Sequence, residues 1–505
     1  MLLVLLVPNM PICQPLYPNV VYILADDLGY GDISCYNENS KIHTPHIDQL
    51  ARQGLRFTDA HTSSSVCTPT RYGILTGRYN WRSPLKNGVL SGFSRALIPP
   101  DRLTVASMLK EKDYQTAFIG KWHLGWDWAF MEEDENIDDL GSHPAVDYSQ
   151  PVKNGPQSLG FTYSYGFSGS LDMPPYVYVE DGMPTAIPTD TTVCVDGKGF
   201  WRRGLTAPDF EHARVLPHLT DKTIEFIKDQ AGGSRPFFVY YALPAPHTPI
   251  LPTSEFIGKS NTNFYGDFVM QMDHEVGRIL KTLADEGIME NTMVVFTSDN
   301  GCSPMAGFQE LARVGHNPSF IYRGHKADIY EGGHRVPFVV RWPQRIRPGR
   351  VSDEVICTTD LMATLAEITG YDLPEDAGED SYSLLPVLVD IRLDRPLREA
   401  TVHHSIDGRF AIRQDEWKLI LWSGSGGWSF PYTAKDLEGL PAFQLYNLKM
   451  DPGEQNNLVE KHPDRVKAMK KLLESYVREG RSTPGLSQQN HGSAVWEQLE
   501  WMDDR

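Results

Sequence analysis

Apolar residues gather in short, near-continuous runs at 19–25, 115–119, 236–242 and 292–297, each closed by polar or glycine-containing turns. Between them, residues 47–53 (closed by Gly54), 103–110, 219–229 and 268–285 carry apolar positions at the spacing of amphipathic helices. Runs without polar alternation are strands buried on both faces. Their alternation with helices predicts an α/β fold, a large mostly parallel mixed sheet sandwiched by helices. From about residue 391 the texture changes. Short alternating strands at 401–404, 410–413 and 417–422, a Gly/Ser-rich loop at 423–427 and a charged helix at about 464–478 predict a smaller α+β domain. The chain thus divides into an N-terminal segment 1–18, a main domain 19–390, and a C-terminal domain 391–505 with a short antiparallel sheet and a terminal helix. Residues 132–204, rich in Gly, Pro, Asp and aromatics without periodicity, read as a loop-rich insertion near the site.

In a parallel sheet, ligands collect at the carboxyl ends of the strands. There the sequence places Asp26-Asp27, Gly120-Lys121-Trp122-His123, Pro246-His247 and Asp299-Asn300-Gly301. One acidic pair after a strand is an ordinary turn or cap. Four separated segments bringing charged or imidazole groups to one edge describe a site.

The 505 residues, 41% apolar and 22% charged, are those of a globular protein with a sizeable core. A net charge of -18 argues against nucleic acid or an anionic membrane surface as partner, since both need a basic face. An anionic substrate has to be attracted locally. No stretch approaches the roughly 18 uninterrupted apolar residues of a membrane span. Segment 1–18 is apolar to Val7, lacks a basic n-region and continues with Pro8 and Pro11. It reads as a signal remnant of an exported, periplasmic or secreted protein, or as a disordered N-terminus, with a cloning or gene-model artefact as the alternative. Six cysteines (13, 35, 67, 194, 302 and 357) are too few for a disulfide scaffold. Oligomeric state is not readable.

The most specific string is Cys67-Thr68-Pro69-Thr70-Arg71, continued by helix-compatible Tyr72 to Arg78. This C-x-P-x-R pattern with its trailing L-T-G-R resembles the site at which sulfatases have a cysteine converted to formylglycine. Residues 19–31, 44–56, 120–125, 245–249, 298–301, 323–337 and 445–458 are similar to the family's further signatures, in the family's order. The resemblance therefore spans nearly the whole chain and implies an alkaline-phosphatase-like fold.

A sulfate monoester has a poor alkoxide leaving group, so its hydrolysis needs a strong oxygen nucleophile, charge neutralisation at the equatorial oxygens and a proton for the departing oxygen. The resemblance implies that an aldehyde at position 67 hydrates to a diol whose hydroxyl attacks sulfur. It implies that Asp26, Asp27, Asp299 and Asn300, with the side chain at Cys67, hold a divalent cation, and hard oxygen donors favour Ca²⁺. Arg71, at helical spacing from Cys67, can orient the diol, and a helix N-terminus at about Pro69 adds backbone donors. By resemblance, Lys121 contacts sulfate, His123 deprotonates the second hydroxyl, and His247 with Lys326 sits on the leaving-group side. The partners implied are a sulfated saccharide and a formylglycine-generating maturation enzyme.

The Glu331-Gly332-Gly333-His334-Arg335-Val336-Pro337 turn reads as structural, its glycines permitting close backbone approach. Asp172, His316, Asn317 and His325 lie in loops expected to border the pocket and are candidates for reading sugar hydroxyls. Trp81, Trp122, Trp126, Trp128, Tyr176 and Tyr178 are read mainly as core. The strings 78–93 and 168–178 resemble bacterial carbohydrate sulfatases, with a 6-O-sulfate of galactose or N-acetylgalactosamine as the leading substrate. Two other readings stay open: a phosphate or phosphonate monoester hydrolase of the same superfamily, and an inactive sulfated-glycan-binding protein with unmodified Cys67.

Overall fold

The structure, a computed structural model, describes residues 17–132, 134–493 and 495–502. Residues 1–16, which include Cys13 and most of the expected signal remnant, lie outside the described residues.

Asn19–Ala25 (NVVYILA) is a strand with every residue buried. It pairs in parallel with Phe237–Ala242 on one side and Thr292–Ser298 on the other. Gln115–Lys121 and then Tyr163–Phe167 extend the parallel core. The sheet has ten strands, and antiparallel neighbours at both edges, among them Phe338–Arg341, make it mixed. Helices Pro45–Arg52, Val215–Ala231 and Phe264–Asp285 pack together on one side of this sheet, and Cys67–Thr76, Val105–Glu111 and Leu361–Thr369 form the other layer. Truncating a central residue such as Ile23 to alanine would cost about 2–5 kcal/mol.

The element boundaries show what periodicity misses. Phe264–Asp285 begins four residues before the apolar pattern does, because the Asn263 side chain accepts from the Tyr265 and Gly266 N–H groups and caps the helix. The stretch 132–204 is more than loop. Its strand Tyr163–Phe167 joins the central sheet, and the hairpin Asp190–Cys194 with Trp201–Thr206 stands beside the site. That strand was hidden by Gly166, which reads as a turn former. At the Lys121 end of the neighbouring strand, Gly120 has φ 125°, and a Cβ there would lie 1.9 Å from the Ala242 carbonyl oxygen. Only glycine fits so close an approach.

The C-terminal unit is an antiparallel sheet ordered Thr401–His404, Phe410–Gln414, Trp417–Ile420 and Gln444–Asn447. Its last strand was absent from the sequence reading. Helix Pro463–Glu479 packs Met469, Leu473, Tyr476 and Val477 onto Ile412, Leu419 and Leu445, and ends at Gly480 in the left-handed conformation.

Candidate active site

Two adjacent parallel strands end in acids. Asp26 and Asp27 follow Ala25, and Asp299 and Asn300 follow Ser298. The Asp27 N–H donates to Asp299 Oδ1 (3.2 Å), and Asn300 Nδ2 donates to Asp27 Oδ1 (2.7 Å). Against this edge comes helix Cys67–Thr76, which starts two residues earlier than expected, at Cys67 itself. Val66 at its N-cap has no capping hydrogen bond from its side chain, so first-turn N–H groups remain as anion donors. Pro69 sits in that first turn, where a missing N–H costs nothing. Ligand atoms of Asp26, Cys67 and Asp299 lie within 4.8 Å of one another, as do those of Asp26, Asp27 and His247.

Three buried cations face the three buried acids. Arg71 Nη2 lies 2.7 Å from Asp299 Oδ2 and its Nη1 donates to the Lys121 carbonyl at 2.8 Å. Lys121 Nζ is 2.7 Å from Asp26 Oδ2, and Lys326 Nζ is 2.7 Å from Asp27 Oδ1. Burial alone would raise the Asp26 pKa, but Lys121, His247, Arg71 and Lys326 outweigh it and hold the carboxyl ionised. Asp299 is driven upward by burial and by the neighbouring Asp26 charge. Burial would lower Lys326, yet Asp27 overrides it and keeps the ammonium charged. Burial pushes the Cys67 thiol up, so Cys67 is no ready thiolate.

Three buried acceptors are left over. Asp26 Oδ1, Asn300 Oδ1 and His123 Nδ1 have no hydrogen-bond partner among the described residues. Crowded carboxylates, orphaned oxygens and an all-oxygen donor set fit a divalent cation held by Asp26, Asp27, Asp299 and Asn300. His123 Nε2 donates to the Leu90 carbonyl at 2.8 Å, which leaves Nδ1 as the lone-pair side. Burial, then the Lys121 and Arg71 charges, depress this imidazole well below its usual range, making it a neutral base. His247 Nδ1 donates to the Thr248 carbonyl, and its Nε2 lies 3.6 Å from Asp27 Oδ2. Burial and Lys326 lower its pKa as well.

A cavity of about 600 Å³ is lined by Cys67, His123, Asp172, His247, His325 and Lys326. Asp172 takes Arg202 Nη1 on Oδ2 at 2.5 Å, while its buried Oδ1 has no partner among the described residues. Phe200, Arg202 and Trp428 also line this cavity and were missed in the sequence, where they stand in irregular segments without motif or period. His316 and Asn317 correct the expectation that they border the pocket. The buried His316 ring meets Asp32 Oδ1 at 2.8 Å through Nε2 and accepts the Lys41 N–H through Nδ1 at 3.3 Å. Asn317 bonds the Phe320 carbonyl. Their loop braces the turn after Asp27, with the Gly31 N–H donating to the Pro318 carbonyl at 2.7 Å.

The six aromatics read mainly as core are buried. The Glu331 turn is structural as expected. A Cβ on Gly333 would lie 2.1 Å from the Asp328 carbonyl oxygen, and buried Glu331 contacts Lys418 and Arg335. Cys35, Cys67, Cys194, Cys302 and Cys357 are all free.

Residues 18–371 match the Sulfatase family model, and residues 324–481 match the model described as N-sulphoglucosamine sulphohydrolase, C-terminal. The chain is 34% identical to an N-acetylgalactosamine-6-O-sulfatase of Bacteroides thetaiotaomicron over 91% of this chain and 93% of that protein. It is 32% identical to human arylsulfatase A, over 93% and 89% of the two chains. A solved 6S-sulfatase structure from work on B. thetaiotaomicron glycosaminoglycan metabolism superposes with TM-score 0.79 at 34% identity, covering 91% of this chain and 99% of that one. Each of these relatives carries a sulfatase name, and the fold and strand-end residues described above agree with them. The chain therefore belongs to the sulfatase family and is a sulfuric ester hydrolase.

Proposed function

We propose that this sulfatase removes a 6-O-sulfate from galactose or N-acetylgalactosamine, through a formylglycine made from Cys67 by a maturation enzyme and with Ca²⁺ as its metal. The observation that carries this reading is the convergence of Asp26, Cys67 and Asp299 within 4.8 Å, with Cys67 lining the cavity. A cation on Asp26, Asp27, Asp299 and Asn300 would supply positive charge to polarise the sulfate, and the oxygen-only donors suit Ca²⁺ better than the stricter octahedron of Mg²⁺.

Lys121 and the first-turn N–H groups of the Cys67 helix stand ready to hold the sulfate oxygens, and Arg71 orients the hydrated aldehyde. A hydrated formylglycine at position 67 would supply the hydroxyl that attacks sulfur as the bond from sulfur to the sugar oxygen breaks. Lys326 and His247 stand on the side where that oxygen takes up its proton. His123 Nδ1, without a hydrogen-bond partner among the described residues, would then accept the proton of the second hydroxyl. With that proton removed, the carbonyl would re-form as the carbon–oxygen bond to sulfate breaks, releasing sulfate and restoring the aldehyde.

The N-acetylgalactosamine-6-O-sulfatase among the relatives supports the choice of sugar. Asp172 and His325 border the cavity, and the free Asp172 Oδ1 suits a sugar hydroxyl. The reading is tested with sulfate and phosphate esters of one alcohol beside a panel of 6-, 4-, 3- and 2-sulfated monosaccharides. Turnover of the sulfate ester and of galacto-configured 6-sulfates is expected. Preference for the phosphate ester, or for another sulfate position, would overturn it.

A further inference from the structure

The loop following strand Trp417–Ile420 carries an unusual run of exposed aromatics. Trp428, Phe430 and Tyr432 are 46%, 69% and 57% exposed, although large apolar side chains are usually covered. Trp428 also lines the cavity that holds Cys67 and Lys326. The sequence gives this segment, Ser423-Gly424-Ser425-Gly426-Gly427, the composition of a flexible linker, but it is tied down residue by residue. The Trp428 and Ser429 N–H groups both donate to Asp328 Oδ1, at 2.8 and 3.0 Å. The Ile329 N–H donates to the Ser425 carbonyl at 2.8 Å. A Cβ on Gly427 would lie 2.4 Å from the Ala327 carbonyl oxygen, so this glycine lets the loop lie directly on the segment that carries Lys326. The C-terminal unit thus places Trp428 at the rim of the reaction cavity on an anchored backbone, with exposed Phe430 and Tyr432 following it in the chain.

We propose that this loop is a second sugar-binding subsite, with Trp428 as its platform and Phe430 and Tyr432 as its outward extension, holding the sugar units next to the sulfated one. This rests on the carbohydrate reading above and deepens it, giving the enzyme a preference for oligosaccharide over free monosaccharide substrates. Sugar rings present C–H faces that large aromatic surfaces cover without needing charge. That matters in a chain of net charge -18, where a polyanionic glycan is repelled at long range and needs neutral contact to stay bound. Continuity with the cavity through Trp428 favours a glycan over a protein partner as the occupant.

The test compares kcat and KM for one sulfated sugar alone and at the end of a tetrasaccharide, using matured full-length enzyme. Wild type is expected to show a kcat/KM for the tetrasaccharide about tenfold above that for the monosaccharide. Trp428→Ala should erase most of that ratio through KM, Trp428→Phe should keep part of it, and Phe430→Ala should lower it less. Thermal midpoints near wild type would show that the variants fold. Equal kcat/KM on both sugars in wild type, or a Trp428→Ala loss shared equally by both, would overturn the subsite alone. Turnover of an aryl sulfate but of no saccharide would overturn the carbohydrate reading and the subsite with it.

Discussion

At the ends of the central strands, Asp26, Asp27 and Asp299 face Arg71, Lys121 and Lys326. Beneath the C-terminal sheet, Asp59, Glu331 and Glu454 face Arg335, Arg413 and Lys418. Both sets are buried, but for the partly buried Arg335, and both mix three acids with three cations. In both, every acid is paired with a cation. Lys418 Nζ lies 3.1 Å from Glu331 Oε1, 2.8 Å from Glu454 Oε1 and 3.0 Å from His334 Nε2, while Arg413 clamps Asp59 at 2.5 and 2.6 Å. In the first, Asp26 Oδ1, Asn300 Oδ1 and His123 Nδ1 have no hydrogen-bond partner among the described residues and stand beside residues lining a cavity. Closeness of ligand atoms alone does not separate the two. His61, His334 and His403 also bring ring nitrogens within 4.8 Å, but the His334 and His403 rings stack at 3.9 Å and 6°. Parallel rings aim their lone pairs side by side rather than at one ion, and Lys418 adds a like charge. Both clusters keep some acceptors without a hydrogen bond among the described residues, Glu454 Oε1 and His403 Nε2 in the second. What marks the site is that its unpartnered acceptors stand beside a cavity lined by Cys67, His123, His247 and Lys326, whereas the second cluster joins the two domains as a strut.

Substitutions in the two clusters should therefore fail differently. Cys67→Ala removes the reacting group and should lower kcat by roughly 10³-fold or more with an unchanged unfolding midpoint. His123→Ala should leave one turnover and stall the next, a burst of released alcohol followed by a steady rate about 10²–10⁴ lower. Lys418→Met strands Glu331 and Glu454 without their cation and should cost about 3–5 kcal/mol in denaturant unfolding, with the folded fraction still active. A catalytic loss without destabilisation at Lys418 would merge the two clusters and break the distinction.

Acidity gives a finer test. Because burial and the Lys121 and Arg71 charges depress His123, it stays a neutral base as pH falls past the ordinary histidine value of about 6.5. The step it serves should lose rate only well below that value, read from single-turnover kinetics against pH. The unfolded chain takes up this proton first, so the same residue subtracts stability as pH drops below about 6.5. The smallest effect belongs to the surface: Lys281→Ala breaks an exposed pair with Asp285 and should stay within about 0.5 kcal/mol.

The strands and the residues after them were legible because burial on both faces forces unbroken apolar runs, and the chemistry follows where each run stops. Asp26, Lys121, His123, His247 and Asp299 were found in that way. Cys67 and Lys326 came from motif likeness. Phe200, Arg202 and Trp428 were not legible, because a hairpin and a Gly/Ser loop carry no period and reach the cavity only through tertiary docking. His316 failed for the converse reason: polar residues in a loop near the site in sequence became a brace for the Asp27 turn once Asp32 claimed the imidazole.

We propose that an aldehyde at position 67 works beside a cation on the strand-end acids. Peptide mass spectrometry of the segment containing Cys67, run alongside activity on matured and unmatured preparations, tests it most directly. The expected result is a peptide lighter by about 18 Da and an activity proportional to the fraction so converted. Full sulfatase activity in protein whose Cys67 is entirely thiol would contradict it.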